Sequence, residues 1–119
     1  MGGTLLVLSR APYAGSLARA GIDTALAYAA FEQPLSVLFT GAGVLQLVPA
    51  QAPAGIGRRS LRQVIDSLPL YDVETVYADA GALLRYRCDA DDLPPFVAVL
   101  TAGEAQRALQ ERHRHVLSF

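Results

Sequence analysis

The chain has 119 residues, 52% of them hydrophobic, with a net charge of −1 and a pI near 6.0. That length suits a single domain over residues 1–119, burying about two thirds of the surface its unfolded chain exposes. The balanced charge leaves no footprint for direct nucleic-acid contact, and no uninterrupted apolar run approaches the ~20 residues needed to cross a bilayer.

The apolar share is high for so small a domain and points to buried subunit contacts as well as a core, the alternative being an alanine-rich sequence whose small side chains inflate the figure. All ten basic residues are Arg, a bias better ascribed to whole-genome composition than to anion recognition. One cysteine cannot form an internal disulfide, and with two histidines it is too little for a structural zinc site. No metal and no cofactor are expected. The opening "MGGTLLVLSRAPYAG" lacks the basic and long apolar regions of a signal peptide, so a soluble, cytoplasmic protein is expected.

In chain order, "TLLVLS" (Thr4 to Ser9) is a short continuous apolar run, as expected of a strand buried on both faces. "RAPYAGS" follows as a loop, and Ser16 is placed to cap a helix. Ile22, Ala25, Leu26, Ala29 and Ala30 recur at helical spacing with Asp23 and Thr24 facing away, until Gln33-Pro34 stops the pattern. "LSVLF" (Leu35 to Phe39) predicts a second buried strand, "TGAG" a turn, and "VLQLVP" at most one helical turn before Pro49. "AQAPAGIG" has the composition of a surface loop. "SLRQVIDSL" opens with the capping box Ser60 and Gln63, predicting a helix that buries Leu61, Val64, Ile65 and Leu68.

"VETVYA" (Val73 to Ala78) predicts a third strand, and "DAGALLRYR" a helix after it. "DADDLPP" is an acidic loop, and "FVAVL" (Phe96 to Leu100) a fourth strand. Thr101 and Glu104 form a capping box for a helix running to about Glu111. "HVLSF" closes the chain as a short fifth strand. Strands alternating with helices imply a single three-layer α/β/α domain around a mostly parallel five-stranded sheet. Ligands in such sheets bind at the carboxyl ends of the strands. The segments to watch are therefore Arg10 to Ser16, Gly41 to Gly43, the Ala78–Asp79 junction and Thr101 to Gly103.

Few motifs survive inspection. "GAG" at Gly41 to Gly43 lacks the third glycine and the acidic partner of a dinucleotide fingerprint, and a tight turn explains it. "RHRH", Arg112 to His115, is a poor ligand pair and reads as positive charge closing a helix. "DADD", Asp89 to Asp92, lacks the spacing of a calcium loop and reads as a solvated turn. A thiolate nucleophile is favoured at a helix N-terminus, but the residue directly after the third strand is Asp79. Cys88 lies at or beyond the far end of that helix, where the dipole and the nearby Asp89 and Asp91 disfavour a thiolate. It reads as a packing residue, with a reactive sulfur as the weaker alternative.

Several segments in order resemble the TusC/DsrF family of the DsrE-like superfamily. They are "LLVLSRAPYAGSLARAGIDTALAYAAFEQPLSVLFTGAGVLQLVPAQAP" and "LPLYDVETVYADAGALLR", with Gly43 to Pro53 and "LYDVE", Leu70 to Glu74, especially similar. The closing strand ending in Phe119 fits as well. The resemblance implies a three-layer fold with a five-stranded parallel sheet, in a dimer of heterotrimers with TusB-like and TusD-like small paralogues. Such complexes relay persulfide sulfur from a TusA-like donor to a TusE-like acceptor, toward 2-thiolation of the tRNA wobble uridine. The alternative is a DsrF-type role in dissimilatory sulfur oxidation. The relay cysteine belongs to the TusD-like subunit, and the aligned position here is Asp79. The resemblance thus implies a non-catalytic structural subunit with no catalytic residue of its own. The rival is a sulfurtransferase acting through Cys88, and a third reading is a stand-alone module binding a small anion near Asp79. The "GVLQLVPAQAP" segment, with Val44, Leu45, Leu47 and Val48, is the expected partner contact, and homo-oligomers of the isolated chain stay open.

Overall fold

The computed structural model describes residues 3–11, 17–31, 35–47, 65–71, 73, 75–101 and 103–119. Five parallel strands form one sheet: β1 (Thr4–Leu8), β2 (Leu35–Phe39), β3 (Thr75–Asp79), β4 (Val97–Leu100) and β5 (His115–Ser118). Their spatial order is β4-β3-β2-β1-β5. Three helices are described: α1 (Leu17–Ala30), α2 (Ala80–Arg85) and α3 (Gly103–Arg112). Short 3₁₀ turns occupy Gly41–Gln46, Leu68–Tyr71 and Ala90–Asp92.

This order explains why the two faces of the sheet are so unequal. From β1 to β4 the chain steps outward in one direction, and right-handed crossovers put the intervening segments on one face. The β4-to-β5 connection reverses direction, crossing back to lie beside β1, so α3 falls on the other face. The first face carries the large core: Leu6, Leu8, Leu35, Val37, Phe39, Val76 and Ala78 from the strands, with Ile22, Ala25, Ala82 and Leu83 from α1 and α2. The second face holds Leu5, Val7 and Leu38 under Leu109 of α3. The result is a three-layer α/β/α arrangement around a fully parallel sheet.

β1 and β2 are buried at every position, which is why both are mainly apolar rather than alternating, with Thr4 and Ser36 their polar members. The edge strands are largely exposed. Sequence-based boundaries shift in places. β3 begins at Thr75, two residues later than expected, and extends to include Asp79. α2 ends at Arg85 because Arg87 takes a left-handed conformation, φ 55°. The N–H of Cys88 bonds to the carbonyl of Leu83 and that of Arg87 to Leu84, at 2.8 and 3.2 Å. This pair of bonds closes a Schellman motif. Ala30, expected on the buried stripe, faces solvent. α1 otherwise buries Ile22 and Ala25, and Thr24 returns its hydroxyl hydrogen to the Ala20 carbonyl at 2.8 Å. The turn at "TGAG" and the expected helical turn at "VLQ" are one continuous 3₁₀ run. The helix expected from Ser60, with Leu61 and Val64, lies mostly outside the described residues, while Ile65 and Leu68 are fully buried as expected. No helix among the described residues is long and apolar enough to cross a membrane.

Candidate functional site

The carboxyl pole of the sheet is assembled around the 3₁₀ turn Gly41–Gln46. The turn sits directly on the end of β1. A Cβ built on Gly43 would lie 2.7 Å from the Leu8 carbonyl carbon, closer still to its oxygen, and 3.1 Å from the Ser9 Cα. Only glycine admits that approach. Thr40 donates its N–H to the Leu8 carbonyl at 3.0 Å, and Gly43 donates its own to Thr40 at 2.9 Å. Gly41 starts the turn at φ 51°, in the left-handed region that glycine tolerates. At the far end Gln46 Nε2 donates to the Arg10 carbonyl at 2.9 Å, tying the turn to the segment after β1. Gln46 is buried, and its Oε1 has no donor among the described residues.

Asp79 closes β3 and caps α2 in one residue. Its Oδ1 accepts the N–H of Gly81 at 3.0 Å, and its Oδ2 accepts the hydroxyl hydrogen of Thr40 at 2.9 Å. The first bond satisfies one of the orphan donors of the helix. The second bond joins β3 to the start of the turn after β2. Both carboxylate oxygens are therefore committed to the protein's own structure. Sequence reading placed Asp79 at the strand-to-helix junction, and the structure puts it there as cap and tie.

Cys88 is separated from this pole by the length of α2. It is half-buried, packed at the rim of the main core, and its Sγ lies 3.8 Å from the Tyr86 carbonyl. Burial first, and the carboxylate of Asp92 second, push its thiol above its usual pKa. Both causes favour the neutral form. In the Schellman motif Cys88 is the residue after the left-handed turn, a position that commonly packs an apolar side chain back on the helix.

The four residues expected to face a partner are not equivalent. Val44 and Leu47 are fully buried in the main core, Leu45 is half-buried, and Val48 lies outside the described residues. Leu45 is thus the described member of the four with surface to offer. In the "DADD" loop, Asp89 Oδ1 accepts the N–H of Asp91 at 3.0 Å and organises the short 3₁₀ turn.

One constellation escaped the sequence reading. His113, treated there as part of a basic helix end, lies at the opposite pole of the sheet. Its Nδ1 is 2.6 Å from the Leu109 carbonyl and its Nε2 3.1 Å from Ser36 Oγ. A carbonyl only accepts, which assigns a hydrogen to Nδ1; in the neutral ring Nε2 then accepts from Ser36 Oγ. Ser36 Oγ in turn accepts from Thr75 Oγ1 at 2.7 Å. This chain of bonds ties β2 and β3 to the junction between α3 and β5. His115 is exposed at the start of β5, and no cluster of three or more potential metal ligands occurs among the described residues.

The profile of the DsrE/DsrF-like family matches residues 3–119. The chain belongs to that family. It is 34% identical over 120 residues to a Pseudomonas aeruginosa protein named Protein TusC homolog, spanning the whole of both chains. It is also 37% identical to the Protein TusC of Escherichia coli, over 88% of this chain and 87% of that one. Among solved structures, the ychN protein of Escherichia coli superposes with a TM-score of 0.79 over the full length of both, at 16% identity. The ychN comparison speaks for the fold alone. The sequence relatives carry the family assignment, which the ordered motifs between Leu5 and Phe119 had already suggested.

Proposed function

We propose that this chain is a structural, non-catalytic subunit of a sulfur-relay complex of the TusBCD/DsrEFH type. In this reading it works in the cytoplasm as one domain beside TusB-like and TusD-like paralogues. The complex passes persulfide sulfur from a TusA-like donor to a TusE-like acceptor, toward 2-thiolation of the tRNA wobble uridine. Two relatives bearing the TusC name support the assignment.

The observation that carries the non-catalytic part is Asp79. Sulfur relay needs a thiolate that can accept and surrender a sulfane sulfur. At the strand-to-helix junction this chain has a carboxylate, with one oxygen on Gly81 N–H and the other on the Thr40 hydroxyl. Burial and Asp92 favour the neutral thiol of Cys88, which supports reading it as a packing residue. Leu45, half-buried on the turn beside this junction, is the residue of the "GVLQLVPAQAP" segment assigned to the partner contact.

The test is to purify the tagged chain from its own host, measure its native mass and identify what accompanies it. A heterohexamer with two small relatives is expected, one of them carrying cysteine at the strand-to-helix junction. Cells carrying Cys88→Ser or Asp79→Asn are expected to keep their 2-thiouridine. Recovery without small relatives refutes the assembly. Loss of thiolation in a folded Cys88→Ser variant refutes the non-catalytic role.

A further inference from the structure

The half-buried ring of His113 is held at both nitrogens by uncharged groups. Nδ1 faces the Leu109 carbonyl of α3 at 2.6 Å, and Nε2 faces the Ser36 hydroxyl of β2 at 3.1 Å. Ser36 is only 5% exposed, and its oxygen also meets Thr75 Oγ1 at 2.7 Å. Thr75 opens β3 and is exposed. Three groups therefore run in line from solvent to the ring. A hydroxyl carries a single hydrogen, which fixes how they can bond. With the ring neutral and its hydrogen on Nδ1, Ser36 gives its hydrogen to Nε2 and takes one from Thr75. With the ring protonated, Nε2 becomes a donor and Ser36 Oγ receives that hydrogen instead. The Ser36 hydrogen then has to turn, and the acceptor at hand is Thr75 Oγ1. Thr75 can release its own hydrogen to water because it is exposed.

We propose that Thr75, Ser36 and His113 form a hydrogen-bond chain that reverses direction when the ring takes a proton, carrying the charge state of His113 to the surface at the amino end of β3. With the ring neutral, Thr75 shows solvent only acceptor lone pairs. With the ring charged, it shows a donor. No bond of the chain breaks, so the tie among β2, β3 and the α3–β5 junction holds in both states while the polarity of one exposed group inverts. A buried hydroxyl hydrogen without an acceptor is costly. Without the outlet at Thr75, the protonated ring would strand the Ser36 hydrogen in that condition. The charged and titratable groups beside the chain are Glu111, Arg112, Arg114 and His115, all exposed on α3, β5 and the turn between them, and Glu74, which precedes Thr75 in sequence. Each is kept in every comparison below. The device is independent of the relay reading.

Nitrogen-resolved NMR titration of the full-length chain reads the His113 ring directly. The neutral ring is expected as the Nδ1–H tautomer. Thr75→Val, nearly isosteric at an exposed strand position, is expected to lower the midpoint of the His113 titration by about one pH unit, roughly a tenfold loss of proton affinity. Thr75→Ala removes the hydroxyl without the branch and is expected to shift the midpoint the same way. Thr75→Ser keeps the hydroxyl and is expected to titrate with wild type. The exposed His115 ring is the internal control and is expected to move in none of them. A neutral His113 found as the Nε2–H tautomer overturns the proposal. So does a Thr75→Val or Thr75→Ala midpoint within about 0.2 pH unit of wild type, or a Thr75→Ser midpoint that falls with them. A wild-type ring that takes no proton while the chain stays folded overturns it as well.

Discussion

Gly43→Ala tests how the carboxyl pole is built. The added methyl would lie 2.7 Å from the Leu8 carbonyl carbon and 3.1 Å from the Ser9 Cα, where carbon atoms prefer about 3.5–4.0 Å. Both neighbours are backbone at the end of a central strand, so no flexible side chain can yield. Overpacking of this kind costs about 1–3 kcal/mol. Pushing the turn outward also strains the Thr40 N–H bond to the Leu8 carbonyl, worth about 1 kcal/mol. A loss of about 3 kcal/mol follows. At about 2.1 cal/mol/K per residue, unfolding 119 residues has an entropy of about 0.25 kcal/mol/K, so the melting temperature falls by about 12 °C. Calorimetry or circular-dichroism melts read this directly. Gly103→Ala is the matched control, because a methyl there meets nothing within 4 Å, and it is expected to stay within about 0.5 kcal/mol of wild type. A Gly43→Ala protein melting within 3 °C of wild type would refute the close-approach argument. So would a Gly103→Ala protein that falls as far.

Asp79→Ala removes a helix cap and a charge-assisted hydrogen bond together, and is expected to cost about 2–3 kcal/mol. Asp79→Asn keeps an acceptor for Gly81 and is expected to cost about 1 kcal/mol or less; equal losses in chemical denaturation would contradict the two-oxygen assignment. Ser36→Ala and His113→Gln each remove a partner from a part-buried network, with expected losses of about 1–2 kcal/mol. Their double-mutant cycle should return a coupling of at least about 0.5 kcal/mol, and strict additivity would mean that the bond contributes nothing. For Cys88 the raised pKa means the fold favours the neutral thiol. That contribution is present below the unfolded thiol's pKa and is lost as pH rises through the folded one. Iodoacetamide should accordingly label native Cys88 more slowly at pH 7.5 than the urea-unfolded chain, and labelling at the unfolded rate would contradict the assignment.

The strands at the centre of the sheet were legible because burial on both faces leaves apolar runs, unbroken in Leu5–Leu8 and interrupted only by Ser36 in Leu35–Phe39. The edges were less so. Phe96 was read into β4 on apolar character alone, and the strand starts one residue later. The Asp79 junction was visible as the first polar residue after a strand, although nothing in the sequence announces that Thr40 takes its second oxygen. The His113–Ser36–Thr75 chain was invisible for the same reason. Its members are 77 and 39 positions apart, and polar pairs carry no periodicity that would join them. The burial of Val44 and Leu47 in the chain's own core was hidden for a different reason. Apolar residues beside a glycine turn look the same in sequence whether they point at a neighbour or at their own core.

β1 and β5 lie side by side although they are the first and last strands of the chain. Their junction is pinned at Ser9, whose N–H and hydroxyl both donate to the Phe119 carbonyl, at 2.9 and 3.0 Å. On the ribosome this means that β1 can pair with β2 early but must wait for its other neighbour until the chain has been made through β5. In the interval one side of a largely apolar strand carries unpaired backbone groups, which invites association with other nascent chains. A contact closing over 110 residues is also among the slowest to form.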